Sequence, residues 1–561
     1  MKKIAILGGG PSALFMFKRL LESGLDEISV DIYEKGSKLG CGMPYSKDGA
    51  ADEHITNVSG NEIPELVNDV AEWVKSVSKD TLDKYHIDPK RFNDYKVLPR
   101  LLFGQYLCEQ FSQLVKQAKA QGLEINVHYH TAVIDIIDQP EKEQVKIVTE
   151  TGVQHYDRVI VCTGHFWPKK QESLTAGWFD SPYPPEKISL RANFPVAIRG
   201  ASLTAIDAVR TLARHNGEFT KDSSGKLSYR LNTDSPHFRL VLHSRNGLLP
   251  AVRFHLEDSH LGKETVLSPE IIRQQRAAND GFLPLDFVFE QNFKKGVAEH
   301  DPATYQQIKD LSMEGFVDQV MANREERDPF ELLKAEYAEA ERSIEKRQSV
   351  YWKEQLAILS FAMNYPAKYF SAEDRLRLEK TLMPLISVVI AFVPQSSAKT
   401  LMALHDAGIL SLKVVDHDEE PEPDENGGVD YAGVHYPLFV DSIGQPHLAF
   451  EDIPFPGLRE GHTISPARLR FRDPKNGQEL LEQGNKRVHH LQNNYYLTVP
   501  GLAINDHFQA LDSYEALNDR IYIMAVPFIG GYNPDYSGLD FSEAASKLIL
   551  NSLLGTGIAN G

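Results

Sequence analysis

The sequence predicts an α/β protein with two β-strand–glycine–helix units and a helical insertion, on three observations. An apolar strand, KKIAIL at 2–7, runs straight into glycines at 8–10 and then a helix over Ser12–Ser23. The same order recurs at Pro195–Gly200 and Leu203–His215. Between about 267 and 410 the chain turns highly charged with helical periodicity, as in REERDPFELLKAEYAEAERSIEKRQ.

Each element follows from its local pattern. Ile28–Glu34 reads as a second strand, which makes the opening a βαβ unit. A helix over Arg100–Gln121, strands near Ile125–His130 and Val133–Ile137, a hairpin and the apolar strand Arg158–Cys162 follow. The polar stretch Asn216–His237 reads as an exposed excursion before a strand at Phe238–His243. His417–Gly428 (HDEEPEPDENGG) is acidic, proline-bearing and non-periodic, as in a loop or linker. Strands are expected at Leu438–Ser442 and Ile521–Val526, and a final helix at Phe541–Leu554.

The totals bound the function. A chain of 561 residues exceeds one ordinary core, so two or three packed units are expected. The formal charge of −18 disfavours nucleic acid and anionic membrane as partners. Cys41, Cys108 and Cys162 form no CxxC and no pair at metal spacing, and no metal site is expected. Twenty histidines include His489-His490 and the His128/His130 pair, but none is joined by a carboxylate or cysteine at ligand spacing. The N-terminal apolar run is too short for a signal peptide, and Leu385–Val393 is about half of a membrane span. A cytoplasmic location is the expectation.

The strongest local signal is GGGPSA at 8–13, with Gly8, Gly10 and Ala13 at GxGxxA spacing. Gly8 permits the tight turn, Gly10 admits a pyrophosphate, and Ala13 lets helix and strand pack closely. The helix start, at Pro11 and Ser12, offers free N–H groups and a partial positive charge to phosphates. Glu34, 26 residues after Gly8, ends the second strand where a carboxylate accepts ribose hydroxyls. Together these predict a dinucleotide, but do not separate FAD from NAD.

The following segments make that separation. They are GCGMPY at 40–45, Asn57-Val58-Ser59-Gly60 as a turn, LPRLLFGQYL at 98–107 with Arg100 at a helix start, and RVIVCTGHFWP at 158–168. Here the chain resembles the flavoprotein monooxygenase and FAD/NAD(P)-binding superfamily, in which a GxGxPY-type loop cradles the flavin and a strand ends in (A/C)TG. It is most similar to bacterial FAD/NAD(P)-binding proteins with PRxxxGxYL and GxSLTAxDA segments, matched here at 99–107 and 200–208. The resemblance implies an FAD-binding Rossmann-like domain of three layers (ββα). It also implies a strand–Gly–helix element near the C-terminus that aims its helix dipole at the flavin, a place held by Gly538 and Leu539 within 521–545. The candidate FAD set is Gly8, Gly10, Pro11, Ser12, Ala13, Glu34, Lys35, Gly42, Tyr45, Asn57, Arg100, Val133, Thr163, Gly164, Gly538 and Leu539.

The second unit, IRGASLTAIDA at 198–208, places Gly200, Ser202 and Ala205 at fingerprint spacing, with serine for the central glycine. The next strand ends HSR, so no carboxylate stands there and Arg245 suits a 2′-phosphate, favouring NADPH. The candidate NADP set is Gly200, Ser202, Thr204 and Arg245. A retained fold without a working nicotinamide site is the alternative. The expected division is an FAD-binding domain over 1–190 and 430–561, an NAD(P)-binding-like unit over 191–266 and 385–429, and a helical insertion over 267–384.

Three functions compete. The first is an NADPH-dependent, monooxygenase-like enzyme that places oxygen into a small molecule, an amine among them; the GxGPxxL start is similar to that of N-hydroxylating monooxygenases. The second is an FAD oxidoreductase without oxygen insertion, and the third a flavin-binding sensor or scaffold. Tyr532, Tyr536 and Trp167 are candidates for pocket walls, and His165 for a place near the flavin; core packing explains such aromatics as well. Cys41 reads as a small filler rather than a redox thiol.

Overall fold

The computed structural model describes residues 2–25, 27–165, 167, 169–256, 267–445, 448–535 and 538–555. Two parallel sheets carry the architecture. The chain opens with β1 (Lys2–Leu7), α1 (Pro11–Glu22) and β2 (Ile28–Tyr33), then α2 (Arg100–Ala120), β3 (Glu124–His128) and β4 (Arg158–Val161). It passes to a second unit with β5 (Trp178–Phe179), β6 (Pro195–Arg199), α3 (Leu203–Asn216), β7 (Arg239–Ser244), β8 (Leu410–Val414) and β9 (Leu438–Asp441). It returns to the first with β10 (Gln509–Leu511), β11 (Leu517–Ile523) and α4 (Gly538–Leu553).

The first sheet has the order β10-β11-β4-β1-β2-β3, parallel except for the β10–β11 pair. In β1 the lysines stay exposed while Ile4 to Leu7 are buried, as a strand covered on both faces requires. Helices α1, α2 and α4 cover one face, and an antiparallel meander over 133–156 packs on the other, giving the three ββα layers. The second sheet, β5-β9-β6-β7-β8, is parallel throughout. Each sheet has its own apolar cluster, and the helices between 269 and 389 build a third around Leu285, Phe293, Phe316, Leu359 and Leu382.

Several expectations need correction. Strand 438–441 pairs with β6 and Trp178–Phe179 pairs with it, so both belong to the second sheet, and the boundaries expected at 190 and 430 cut through that unit. The excursion at 216–237 is a β-hairpin, Gly217–Lys221 against Leu227–Leu231. Its polar composition hid a two-stranded ladder that packs Phe219, Tyr229 and Leu231 onto the core of the second unit. The acidic stretch near 417–428 feeds a short antiparallel ladder, Glu422–Pro423 with Val429–Tyr431 and Val434–Tyr436. Asn57 lies in a strand, Ile55–Ser59, and not in a turn. A three-stranded antiparallel sheet over 466–502 has no counterpart in the sequence reading. Tyr536, and Phe166 and Pro168 of the TGHFWP turn, fall outside the described residues.

Candidate functional site

The first glycine loop is fixed by backbone. Gly8 has φ +102°, and a Cβ there would lie 2.5 Å from the Cys162 carbonyl oxygen, so only glycine passes between the ends of β1 and β4. Its N–H donates to the Tyr33 carbonyl at 2.8 Å, tying the turn to β2. Pro11 starts α1, where a missing N–H costs nothing, and Gly10 before it offers no side-chain cap. The first-turn N–H groups therefore face outward without competition from a capping side chain. Ala13 is fully buried against the sheet. At the end of β2, Glu34 accepts from the Gly9 and Gly36 N–H groups at 2.8 and 2.6 Å, and Lys35 beside it is exposed.

The loop over 40–45 is wedged between this turn and α2. Gly40 N–H donates to the Gly9 carbonyl at 2.7 Å, and a Cβ on Gly10 would stand 3.4 Å from the Gly42 Cα. On the other side, a Cβ on Gly104 would come within 2.0 Å of the Tyr45 carbonyl. Gly10 and Gly42 thus stand within van der Waals reach of each other, a pairing that no local pattern announces. Beyond β4, Thr163 leaves a buried hydroxyl without a partner, and Gly164 borders open space. Helix α4 starts at Gly538 (φ +84°) and runs beside α1, with Ser12 Oγ 3.3 Å from Ser542 Oγ and an Arg19–Glu543 ion pair. Leu539 is buried, and Val133 begins the antiparallel meander. A glycine cradle, an open helix start, a strand-end carboxylate and an orphaned hydroxyl fit an FAD pyrophosphate and ribose.

The second loop repeats the construction. Gly200 has φ +105°, its N–H donates to the His243 carbonyl at 2.8 Å, and a Cβ there would lie 2.7 Å from the Ser442 carbonyl oxygen. Ser202 precedes α3 with φ −90° against −80° at Gly10, and its hydroxyl makes no capping bond. Thr204 is half-buried in the first turn, near Gly444. Ser442 Oγ and the whole amide of Gln445 are buried without partners at the exit of β9. Arg245 is exposed and has no hydrogen-bond or ion-pair partner among the described residues.

Comparison with known proteins agrees with this layout. Residues 5–166 match the family model described as FAD-NAD(P)-binding, and residues 268–390 match the YdhS-like middle domain. The chain carries an FAD/NAD(P)-binding domain and a YdhS-like middle domain. Over 469 residues it is 29% identical to the uncharacterized protein YdhS of Escherichia coli (strain K12), spanning 82% of this chain and 86% of that one. A shorter stretch of 174 residues is 26% identical to flavin-containing monooxygenase 5 of Cavia porcellus, covering 29% of this chain and only 28% of that protein. Among solved structures, bacillithiol disulfide reductase Bdr from Staphylococcus aureus aligns over 99% of this chain and 100% of its own, at 11% identity and TM-score 0.41. The cadaverine monooxygenase DfoA from Erwinia amylovora aligns over 99% and 95%, at 10% identity and TM-score 0.40. Both likenesses are too low to bear on chemistry.

Where the FAD/NAD(P)-binding domain meets the second unit, the structure shows residues the sequence did not single out. Arg100, expected on the cofactor, turns its guanidinium to Asp207 of α3 at 2.5 Å and to the Ile55 carbonyl at 3.3 Å. Tyr183 donates to the same carboxylate at 2.6 Å. Burial works against the charge on Asp207, yet Arg100 and the Tyr183 hydrogen bond outweigh it and hold the carboxyl below its usual range. His54 accepts from Ala51 N–H through Nδ1 and reaches Thr211 Oγ1 at 3.1 Å through Nε2, while Thr211 donates to Glu53. Burial lowers the His54 pKa, so this ring is neutral and protonated on Nε2. Asp207 lies within the quoted SLTAIDA segment as its one acid, which was the available signal.

Around the mouth, Arg253 binds the Asn57 carbonyl, Ser59 Oγ and Glu62, so Asn57 contributes its backbone while its side chain stays exposed. His165 follows the TG turn with Nδ1 unpartnered, 5.8 Å from the Trp167 ring; burial lowers its pKa to about 4. Trp167 leads on to Tyr183 at 5.4 Å, whereas Tyr532 is buried and donates to the Arg468 carbonyl. Asp540, in the first turn of α4, keeps one buried carboxylate oxygen unpartnered, and burial with Glu62 and Asp535 raises its pKa to about 7. Asp424, Asp430 and His435 bring ligand atoms within 4.8 Å of one another on the acidic ladder, but the two partners of Asp424 are exposed, and such groups are common without an ion. Among the described residues no helix is long and apolar enough to cross a membrane.

Proposed function

We propose that the protein is an FAD-dependent oxidoreductase that takes reducing equivalents from NADPH at the second glycine loop and acts, monooxygenase-like, on a small molecule, with amines the first class to test. The observation that carries this reading is the repetition of one contact. Gly8 passes under the carbonyl after β4, and Gly200 under the carbonyl after β9, each with its N–H on the neighbouring strand. Two such turns in one chain, each opening a helix, make two pyrophosphate sites at the carboxyl ends of parallel strands.

Bound FAD supplies the electron-transfer and oxygen chemistry that side chains lack. The chain's part is to bind, orient and exclude water. The first turns of α1 and α3 hold phosphates through backbone N–H groups and the helix dipole. Glu34 exchanges its Gly9 and Gly36 donors for ribose hydroxyls. Arg245, unpartnered, is available for a 2′-phosphate. His165, uncharged at neutral pH, and Asp540, which holds its proton up to about pH 7, supply hydrogen-bonding groups beside the TG turn and the α4 start.

The test begins with the visible spectrum of the purified protein, which should show bound flavin. NADPH should then bleach it without oxygen, and NADH more slowly. With oxygen present and a panel of small amines, isotopically labelled O₂ should place its label in the product. Flavin reduction without label in any product would reduce the reading to an oxidoreductase that inserts no oxygen. A colourless protein that does not take up added FAD would end it.

A further inference from the structure

The three cysteines are far apart in sequence, at 41, 108 and 162, yet two of them meet. Cys41 occupies the loop between Gly40 and Gly42, and Cys108 lies on α2 one turn beyond Gly104. Backbone packing enforces the approach. A Cβ on Gly40 would lie 2.4 Å from the Leu107 carbonyl oxygen and 2.7 Å from Cys108 N, so loop and helix backbones touch at this point. One turn earlier, Gly104 receives the Tyr45 carbonyl in the same way. Between these two anchor points the Cys41 thiol and backbone N–H lie close enough to Cys108 Sγ to interact with it.

The two thiols are not equivalent. Cys41 is 8% exposed, whereas Cys108 is half-buried. The Cys41 thiol, its backbone N–H and nearby Lys38 favour the Cys108 thiolate and bring its pKa to about 7. The same interaction and burial push Cys41 up. Cys162 stands apart, buried against Met524 with Sγ 3.9 Å from Sδ.

We propose that Cys108 and Cys41 form a peroxide-reactive pair, in which Cys108 is the attacking thiolate and Cys41 the resolving thiol. The Cys108 sulfur attacks one oxygen of hydrogen peroxide, the O–O bond breaks, and hydroxide leaves to become water with a solvent proton. The Cys108 sulfenic acid is then attacked by Cys41: the S–S bond forms, the S–O bond breaks, and the departing hydroxide takes up the Cys41 proton as a second water. Two thiols and one peroxide give one disulfide and two waters; the sulfurs lose the two electrons that the peroxide gains. A low-pKa, accessible thiolate next to a buried resolving thiol is the arrangement this chemistry needs. The disulfide straps the 40–45 loop to α2 while that loop lies against Gly9 and Gly10, so oxidation stiffens the cradle of the proposed cofactor site. The pairing itself does not depend on the cofactor assignment.

Peroxide titration of the full chain followed by trypsin digestion under non-reducing conditions tests it. One peroxide should consume two of the three thiols, link peptide 39–47 to peptide 101–116 within one chain, and leave Cys162 free; dithiothreitol should reverse the link. In Cys41→Ser a dimedone-trapped sulfenic acid should appear at Cys108, while in Cys108→Ser position 41 should stay unmodified. The proposal falls if wild-type protein keeps three titratable thiols after peroxide, if the linkage joins two chains, or if the sulfenic acid appears at Cys41. The wild-type digest decides the matter even if a variant fails to fold.

Discussion

The two glycine loops share a backbone and differ in what stands opposite. Gly8 and Gly200 have φ of +102° and +105°, and their N–H groups donate to Tyr33 and His243 at the same 2.8 Å. Gly10 and Ser202 share the same extended conformation before their helices, so the first loop does not need glycine there for its dihedral angles. The difference lies in space. Gly10 faces Gly42 of a second loop that is itself pressed onto α2, whereas the second turn carries a serine side chain at the matching position.

The largest expected effect comes from cutting the tie between the two units. Arg100→Ala leaves Asp207 buried with its bidentate-capable partner gone and only Tyr183, the neutral His54 and the more distant Arg210 nearby, and breaking such a pair costs about 3–5 kcal/mol. The melting temperature should fall well below wild type, and Arg100→Ala combined with Asp207→Ala should recover part of the loss. If Arg100→Ala melts like wild type but loses flavin, the arginine belongs to the cofactor and the interdomain reading is wrong.

A second test uses α4, the helix that runs beside α1 at the first loop. Asp540 in α4 has its pKa raised to about 7, so the folded chain holds a proton there that an unfolded carboxyl has released. The stability this contributes is complete below the ordinary carboxylate pKa and is lost as pH rises through about 7. Asp540→Asn should therefore gain on wild type with rising pH, by on the order of 2–4 kcal/mol at pH 8, and little at pH 4. Thermal melts of both proteins from pH 4 to 8 read this directly; parallel curves would mean that Asp540 is ionised throughout.

Legibility in the sequence followed the range of the contacts involved. β1, α1 and β2 are continuous patterns with a glycine turn between them, and their bounds came out within a residue or two. So did α3 and β7, because the second turn uses the same grammar. Strand 438–441 was visible as an apolar run, but its partner β6 lies more than two hundred residues earlier, so pattern gave the element and not its sheet. Arg100 was singled out and its partner Asp207 was not, because a buried ion pair 107 residues apart leaves no periodic trace. The same holds for Gly42 against Gly10, and for Cys41 against Cys108. The hairpin at 217–231 was missed because it sits in a stretch rich in Ser, Asp, Lys and Gly, although Leu227, Tyr229 and Leu231 alternate with polar residues along its second strand.

The space opposite each loop gives a more selective experiment. In Gly10→Val the Cβ itself would only touch Gly42, but the added methyl groups crowd that loop and the helix start, an overpacking of about 1–3 kcal/mol beside the proposed flavin. Flavin affinity should drop roughly tenfold to a hundredfold. Ser202→Val alters only the second turn, so it should leave flavin content unchanged and weaken only NADPH. Equal flavin loss in both variants would show that the difference in packing has no functional consequence.

The smallest effect tests the strand ends. Because Gly8 N–H binds Tyr33 and Gly200 N–H binds His243, the residue matching Glu34 is Ser244, and Arg245 matches Lys35. Where the first unit presents a carboxylate that suits ribose hydroxyls, the second presents a hydroxyl already bonded to Asn246 at 2.8 Å, followed by an unpaired guanidinium. That exchange removes repulsion toward a 2′-phosphate and adds a donor fork for it. The rate of flavin reduction should favour NADPH over NADH, and Arg245→Ala should shrink the preference about tenfold, or roughly 1.4 kcal/mol. Ser244→Glu should go further and turn the preference toward NADH, because it rebuilds the Glu34 arrangement on the second strand. If wild type uses both cofactors equally, Arg245 leaves the site. If neither reduces the flavin, the second loop is a copy of the fold without its ligand, and the electrons enter from another donor.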